Sequence, residues 1–237
     1  MKYEKNKDII LLHGLFGSLS NWEDVIKNLE KDYNVFTPTL PLFSNQLKRN
    51  SLQSLVHFLE DYIEANHIHH PILIGNSLGG HLALLYALAH PTLVNKLILA
   101  GSSGLYENNL QASFVRIRDY NYIKNKVEEI FETKDVVTKE LVDDVFSTAN
   151  TPAKALSIIS IARDAKRQNL KHLLHKINQP VLLVWGKQDI VTPPDVAEEF
   201  YTHLPNARLA FIDRCGHVPM MEQPVIFNEH INQFLTA

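Results

Sequence analysis

Apolar and polar positions follow two rhythms along this chain. Short unbroken apolar runs recur, among them Ile9-Ile10-Leu11-Leu12, Ile72-Leu73-Ile74, Leu97-Ile98-Leu99-Ala100 and Val181-Leu182-Leu183-Val184-Trp185. Bounded by proline, glycine or charge and too short for helices, they read as buried strands. The pattern predicts strands at about 9–13, 33–37, 71–75, 96–101, 180–186 and 207–212. Helical stretches separate them, which predicts an α/β fold: a parallel sheet with helices on both faces. From about Leu105 to Gln179 there is no buried-strand run. That interval carries polar helical segments instead, at 121–133, 138–149 and 152–168. The chain therefore divides into a core of residues 1–104 and 180–237 and a helical insertion of residues 105–179.

Gly75-Asn76-Ser77-Leu78-Gly79 fits G-x-S-x-G, and its setting gives the match meaning. The run Pro71–Ile74 precedes it, and the apolar stretch Gly80–Ala89, stopped by Pro91, follows. A strand that turns sharply into a helix through a serine flanked by glycines is a nucleophile elbow. The serine is forced into an unfavourable backbone region, and its small neighbours let the chain pass close by. Its hydroxyl then projects at a helix N-terminus, whose unpaired N–H groups stabilise negative charge. The alternative is a plain Gly-Ser turn; the strand–helix context favours the elbow.

A serine hydroxyl needs a base. With 12 histidines in the chain, only position discriminates among them. His217 ends Asp213-Arg214-Cys215-Gly216-His217, in the loop leaving the carboxyl end of the strand at 207–212. Open α/β sheets place their sites at such ends. His203 and His230 fall in helical stretches and read as surface residues. The base in turn needs an acid to fix its tautomer. Asp189, in the Gly186-Lys187-Gln188-Asp189 loop one strand earlier, fits best. Its competitors are Asp195, placed as a helix N-terminal residue, Asp213, which shares the His217 loop, and Glu222. The loop Gly101-Ser102-Ser103-Gly104 offers no carboxylate. Oxyanion donors are expected from the backbone of Leu78 and of the loop His13-Gly14-Leu15-Phe16-Gly17-Ser18, with Leu15 first and Phe16 second. His13 is expected to brace that loop.

Four stretches, HGLFGSLSNW (13–22), GNSLGGHLALLYA (75–87), WGKQDIVTP (185–193) and CGHVPMMEQP (215–224), together resemble the α/β-hydrolase superfamily. The resemblance covers nearly the whole chain. HGLFGS is similar to small bacterial carboxylesterases. GNSLGGH followed by KLILAGSSG is similar to the carbon–carbon bond hydrolases of meta-cleavage (ring-fission) products. The resemblance implies a Ser-His-Asp hydrolase of small molecules that uses no cofactor, with residues 105–179 as a lid that sets substrate size and excludes water. Three departures stand out. Where many relatives carry G-x-G-x-S, this chain reads Pro38-Thr39-Leu40-Pro41-Leu42-Phe43-Ser44-Asn45. Relatives usually open with an antiparallel hairpin, for which the residues before Ile9 are too few, so all six strands are expected to be parallel. Val218 stands where the carbon–carbon group often has tryptophan. Phe16, Val218 and Arg163 are candidate substrate contacts. Arg163 mimics that group's carboxylate-binding arginine or is a solvated helix residue beside Asp164. Leu15, Phe16, Leu78, Val218 and Met220 suggest an apolar acyl site.

Composition narrows the classes without choosing among them. At 237 residues, 45% hydrophobic and 21% charged, the chain suits one large globular domain. A net charge of -3 leaves no basic footprint for nucleic acid. The lone Cys215 forms no internal disulfide and reads as a packed thiol. No apolar run is long enough to span a membrane, and the charged start MKYEKNKD does not read as a signal peptide. The expectation is a cytoplasmic monomer or homodimer without a metal. Three functions compete: hydrolysis of a small to medium carboxylic ester, carbon–carbon hydrolysis, and ligand binding without catalysis. The intact set Ser77, Asp189 and His217 opposes the last.

Overall fold

The computed structural model describes residues 7–17, 22–43, 51–108 and 116–237. One sheet contains β1 (Asp8–Leu12), β2 (Asn34–Phe36), β3 (Ile72–Asn76), β4 (Lys96–Ala100), β5 (Val181–Gly186) and β6 (Ala207–Ile212). Every predicted strand is present, and every pairing is parallel, in the order β2-β1-β3-β4-β5-β6. Asp8 opens β1 opposite Asn34. The expectation that no hairpin precedes β1 falls on residues 1–6, outside the described residues.

Side chains along each strand alternate between two cores, as the pleat requires. Ile10 and Leu12, Leu97 and Leu99, and Val181, Leu183 and Trp185 enter one core. Ile9 and Leu11, Ile98 and Ala100, and Leu182 and Val184 enter the other. Helices α1 (Glu23–Leu29) and α9 (Pro224–Leu235) cover the second face, while α2 (Leu52–Ala65), α3 (Leu78–Ala89) and α7 (Pro194–His203) cover the first. In α2, Ser51 Oγ accepts the Ser54 N–H at 3.2 Å, which satisfies one orphan donor of the first turn. Leu52, Leu55, Val56, Leu59 and Ile63 then bury one stripe of that helix, at roughly 1.5–3 kcal/mol apiece relative to exposure.

From β1 the chain runs outward to β2, then crosses back over β1 to reach β3. Strand order reverses there, so a crevice opens beyond the carboxyl ends of β1 and β3. Among the described residues, three α-helices lie between β4 and β5: α4 (Tyr120–Glu128), α5 (Lys139–Asn150) and α6 (Pro152–Arg167). Asp119 and Thr138 cap the first two, accepting the N–H groups of Tyr122 and Leu141, and Pro152 opens the third. The helix predicted at 121–133 stops at Glu128 because the backbone after it bonds elsewhere. The Ile130 carbonyl accepts the His217 N–H at 3.1 Å, and the N–H groups of Glu132 and Thr133 turn to the Glu222 carboxylate.

Candidate active site

Ser77 joins β3 to α3 at φ 54° and ψ −120°, a left-handed conformation that a side chain rarely adopts. The glycines beside it are required by contact. A Cβ on Gly79 would lie 2.0 Å from the Leu12 carbonyl oxygen, and one on Gly75 would lie 2.4 Å from the Gly79 backbone. The elbow therefore wedges between β1 and the start of α3 only because both positions lack side chains. Ser77 N–H donates to the Ala100 carbonyl, and the Ser103 N–H donates back to the Ser77 carbonyl, both at 3.1 Å. Leu78 is the first residue of α3, so its N–H has no intrahelical acceptor.

His217 lies in the loop after β6, and its Nδ1 donates to Asp189 Oδ2 at 2.9 Å. Asp189 sits in the loop after β5 with a fully buried side chain. Oδ1 accepts the N–H groups of Val191 and Thr192 at 2.8 and 3.0 Å, and Oδ2 also accepts the Thr192 hydroxyl at 2.9 Å. Burial alone pulls the imidazole of His217 down. The Asp189 carboxylate opposes this by charge and hydrogen bond, Glu107 and Glu222 add to its effect, and the net shift is upward. Gly101, at φ 49°, makes room for the pair: a Cβ there would meet His217 Nδ1 at 3.0 Å and Asp189 Oδ2 at 3.1 Å. The competing carboxylates have other work. Asp195 stands in the first turn of α7 and accepts from the Tyr106 hydroxyl, and Asp213 pairs on the surface with Lys187. Buried Glu222 accepts backbone N–H groups from Glu132, Thr133, Gly216 and Val218.

Ser77, Leu78, His217, Val218, Leu15 and Phe16 all line one cavity of about 130 Å³. Between β4 and β5 the chain adds Val127, Ile130, Phe131, Leu141 and Val145 to its wall, together with Ala162 and Ala165 of α6. Leu15 and Phe16 occupy a turn closed by the Gly17 N–H on the Gly14 carbonyl at 3.2 Å. His13 braces that loop, with Nδ1 on the Gly14 carbonyl at 2.8 Å and Nε2 accepting the Leu40 N–H at 3.0 Å. Its burial lowers its pKa. This tie also anchors Leu40 in the segment that departs from G-x-G-x-S, of which Ser44 and Asn45 lie outside the described residues.

Two expected substrate contacts are not in the cavity wall. Arg163 is exposed on α6 and lines no part of the cavity, because the side of α6 that turns inward carries Ala162 and Ala165. Met220 is buried in the core behind the His217 loop, on the short helix α8 (Pro219–Glu222), and does not face the cavity. Cys215 is a buried free thiol whose pKa burial pushes up, with Glu222 and Asp189 adding to the shift. Sequence reasoning missed Asn76, whose Nδ2 donates to the carbonyls of Ala100 and His217 at 2.9 and 3.1 Å and so ties the elbow to the histidine loop. Only its place beside Ser77 in the motif hinted at this. Among the described residues, no group of three or more His, Cys, Asp or Glu side chains is arranged to hold a metal, and no helix is long and apolar enough to cross a membrane.

The α/β hydrolase family signature matches residues 9–230. A pimeloyl-[acyl-carrier protein] methyl ester esterase from Nitrosomonas europaea is 27% identical, over 93% of this chain and 92% of its own length. A 2-hydroxy-6-oxononadienedioate/2-hydroxy-6-oxononatrienedioate hydrolase from Cupriavidus pinatubonensis is 26% identical, over 96% and 86%. Among solved structures, the α/β hydrolase MGS-MChE2, from a sediment metagenome of the Mar Chica lagoon in Morocco, superimposes with a TM-score of 0.79 at 37% identity, covering 97% of this chain and 90% of that one. With a matching signature across nearly its whole length and this sheet, the chain belongs to the α/β hydrolase family and is a hydrolase.

Proposed function

We propose that this hydrolase cleaves a small to medium carboxylic ester through an acyl-enzyme, with Ser77 as nucleophile, His217 as base and Asp189 as the orienting acid. One observation carries the reading: Ser77 is held at a strained elbow on the wall of an apolar cavity that His217 also lines, with Asp189 bonded to the far ring nitrogen. His217 Nε2 takes the Ser77 proton as Oγ bonds to the ester carbonyl carbon. The tetrahedral oxyanion rests on the N–H groups of Leu78 and Leu15, each worth roughly 3 kcal/mol of barrier. His217 then gives its proton to the alcohol as the C–O bond breaks. Water attacks the acyl-enzyme by the same route and releases the acid. In this reading residues 105–179 form the lid, since α5 and α6 and the turn after α4 supply the apolar wall opposite Ser77.

The carbon–carbon reading has support in the Cupriavidus pinatubonensis relative. That substrate is a dicarboxylate by its name, and among the described cavity residues there is no lysine or arginine to receive a carboxylate. The ester reading is therefore preferred. Wild-type protein is expected to turn over p-nitrophenyl butyrate and to be labelled by a fluorophosphonate, and Ser77→Ala to lose both while unfolding at the wild-type temperature. Labelling of Ser77→Ala would remove Ser77 from the mechanism. Turnover of a ring-fission dienoate in preference to the ester would favour the carbon–carbon reading.

A further inference from the structure

The cavity holds a charge for which acyl transfer has no use. Glu107 lines it together with Ser77 and His217 and is half-buried. Its backbone is fixed on both sides. The Asn108 N–H donates to the Val191 carbonyl at 2.9 Å, and Asn108 Nδ2 donates to the Ile190 carbonyl at 2.8 Å, both in the loop that carries Asp189. On the other side, the Leu105 carbonyl accepts from Asn169 Nδ2 at 2.8 Å. Glu107 is thus a positioned wall residue. Among the described residues, no basic side chain forms an ion pair with its carboxylate, and His217 is the only other ionisable group lining the cavity. The Glu107 charge reaches the site, since it helps to raise the pKa of His217.

An uncompensated carboxylate in a largely apolar wall repels a second anion and attracts a cation, with less screening than in open water. Resting on the ester reading, we propose that Glu107 determines specificity, favouring an ester whose acyl chain ends in an ammonium group over one of equal length that ends in a carboxylate. The side chain leaves bond making to Ser77 and His217 and acts on the distal end of the substrate. Its conservative variant therefore changes the ranking of substrates.

Three p-nitrophenyl esters of matched length test this: hexanoyl, aminohexanoyl and monoadipoyl. For the wild type, kcat/KM on the aminohexanoyl ester is expected to exceed that on the monoadipoyl ester by about tenfold or more, as like-charge juxtaposition in a binding site implies. Glu107→Gln should bring the ratio close to one, and Glu107→Lys should reverse it. A wild-type ratio at or below one, or a ratio unchanged in Glu107→Gln, overturns the proposal. Failure of the wild type on all three esters, the neutral one included, would strike the ester reading instead. The charge preference is then read from binding alone, by calorimetry of Ser77→Ala with aminohexanamide and monoadipamide. Tighter binding of the ammonium ligand, lost in Glu107→Gln, sustains the proposal; equal binding ends it.

Discussion

At Ser77, Asp189 and His217, local chemistry sets strict demands on single atoms. With Nδ1 of His217 committed to Asp189, Nε2 is the nitrogen that the proposed mechanism uses as the base. An amide at position 189 presents a donor where an acceptor is needed and inverts the tautomer. Asp189→Asn is therefore expected to lower kcat on an activated ester by about 10⁴, by analogy with the serine-protease triad. Asp195→Asn and Asp213→Asn should cost far less, since one bonds Tyr106 and the other Lys187. The pH profile provides a second reading. In the proposed mechanism the base must be neutral, and the pKa of His217 lies above the ordinary histidine value, so wild-type kcat/KM is expected to fall as pH drops through that raised pKa. Removing the Asp189 charge leaves burial dominant, which lowers the pKa and moves the acid limb to lower pH. A limb that stays in place, or a crippled Asp213→Asn, would mean that another carboxylate is the partner.

Glu222 shows what holds the elements around the site in register. Its carboxylate gathers N–H groups from the turn after α4 and from the His217 loop, while α8 carries it. The insertion and the histidine loop are thus tied through one buried side chain, and the His217 N–H on the Ile130 carbonyl adds a direct bond. Each buried donor left without an acceptor costs about 1–3 kcal/mol. Glu222→Ala, which strands several, is expected to lose about 3 kcal/mol or more in urea denaturation and to lower kcat/KM through a misplaced His217. Glu222→Gln keeps one oxygen acceptor and should fall between. Equal stability of Glu222→Ala and wild type would show that these bonds are replaced by water. The sequence offered Glu222 only as a rival acid, because two of the N–H groups it serves, those of Glu132 and Thr133, lie about 90 residues away along the chain.

For the molecule as a whole, acid sensitivity has an identifiable source in the core. His81 is fully buried on α3, and among the described residues neither ring nitrogen has a hydrogen-bond partner of good geometry. Burial brings its pKa down to about 4, with the Asp164 charge and the Gln168 backbone opposing. Because the folded value lies below the unfolded one, the unfolded chain takes up this proton first as the solution is acidified. The linked stability is present above the unfolded pKa of about 6.5 and is lost as pH falls toward the folded value. The loss between about pH 7 and pH 5 is about 2 kcal/mol. His81→Leu, close in volume, should be spared that part of the decline, so its advantage over wild type should grow by this amount across the same interval. Parallel pH dependence of the two proteins in urea denaturation would exclude His81 as the source.

The strands, their parallel direction and the elbow were legible in the sequence, because each rests on neighbours in the chain. An apolar run between breakers that is too short for a helix is buried as a strand, and glycines flanking a serine between strand and helix signal a close approach whatever lies beyond. The loops of Asp189 and His217 were legible too, since position at the end of a strand follows once the strands are placed. Tertiary structure decided what depends on two distant segments meeting. It turned Arg163 outward and Met220 into the core, because helix rotation and loop path set which side chain faces a cavity. It joined Asn76 to the His217 carbonyl across 141 residues. It also brought Glu107 to the cavity wall through the bonds of Asn108 to the Asp189 loop. No local pattern encodes such meetings, for the free energy that fixes them comes from packing and hydrogen bonds between elements that are far apart along the chain.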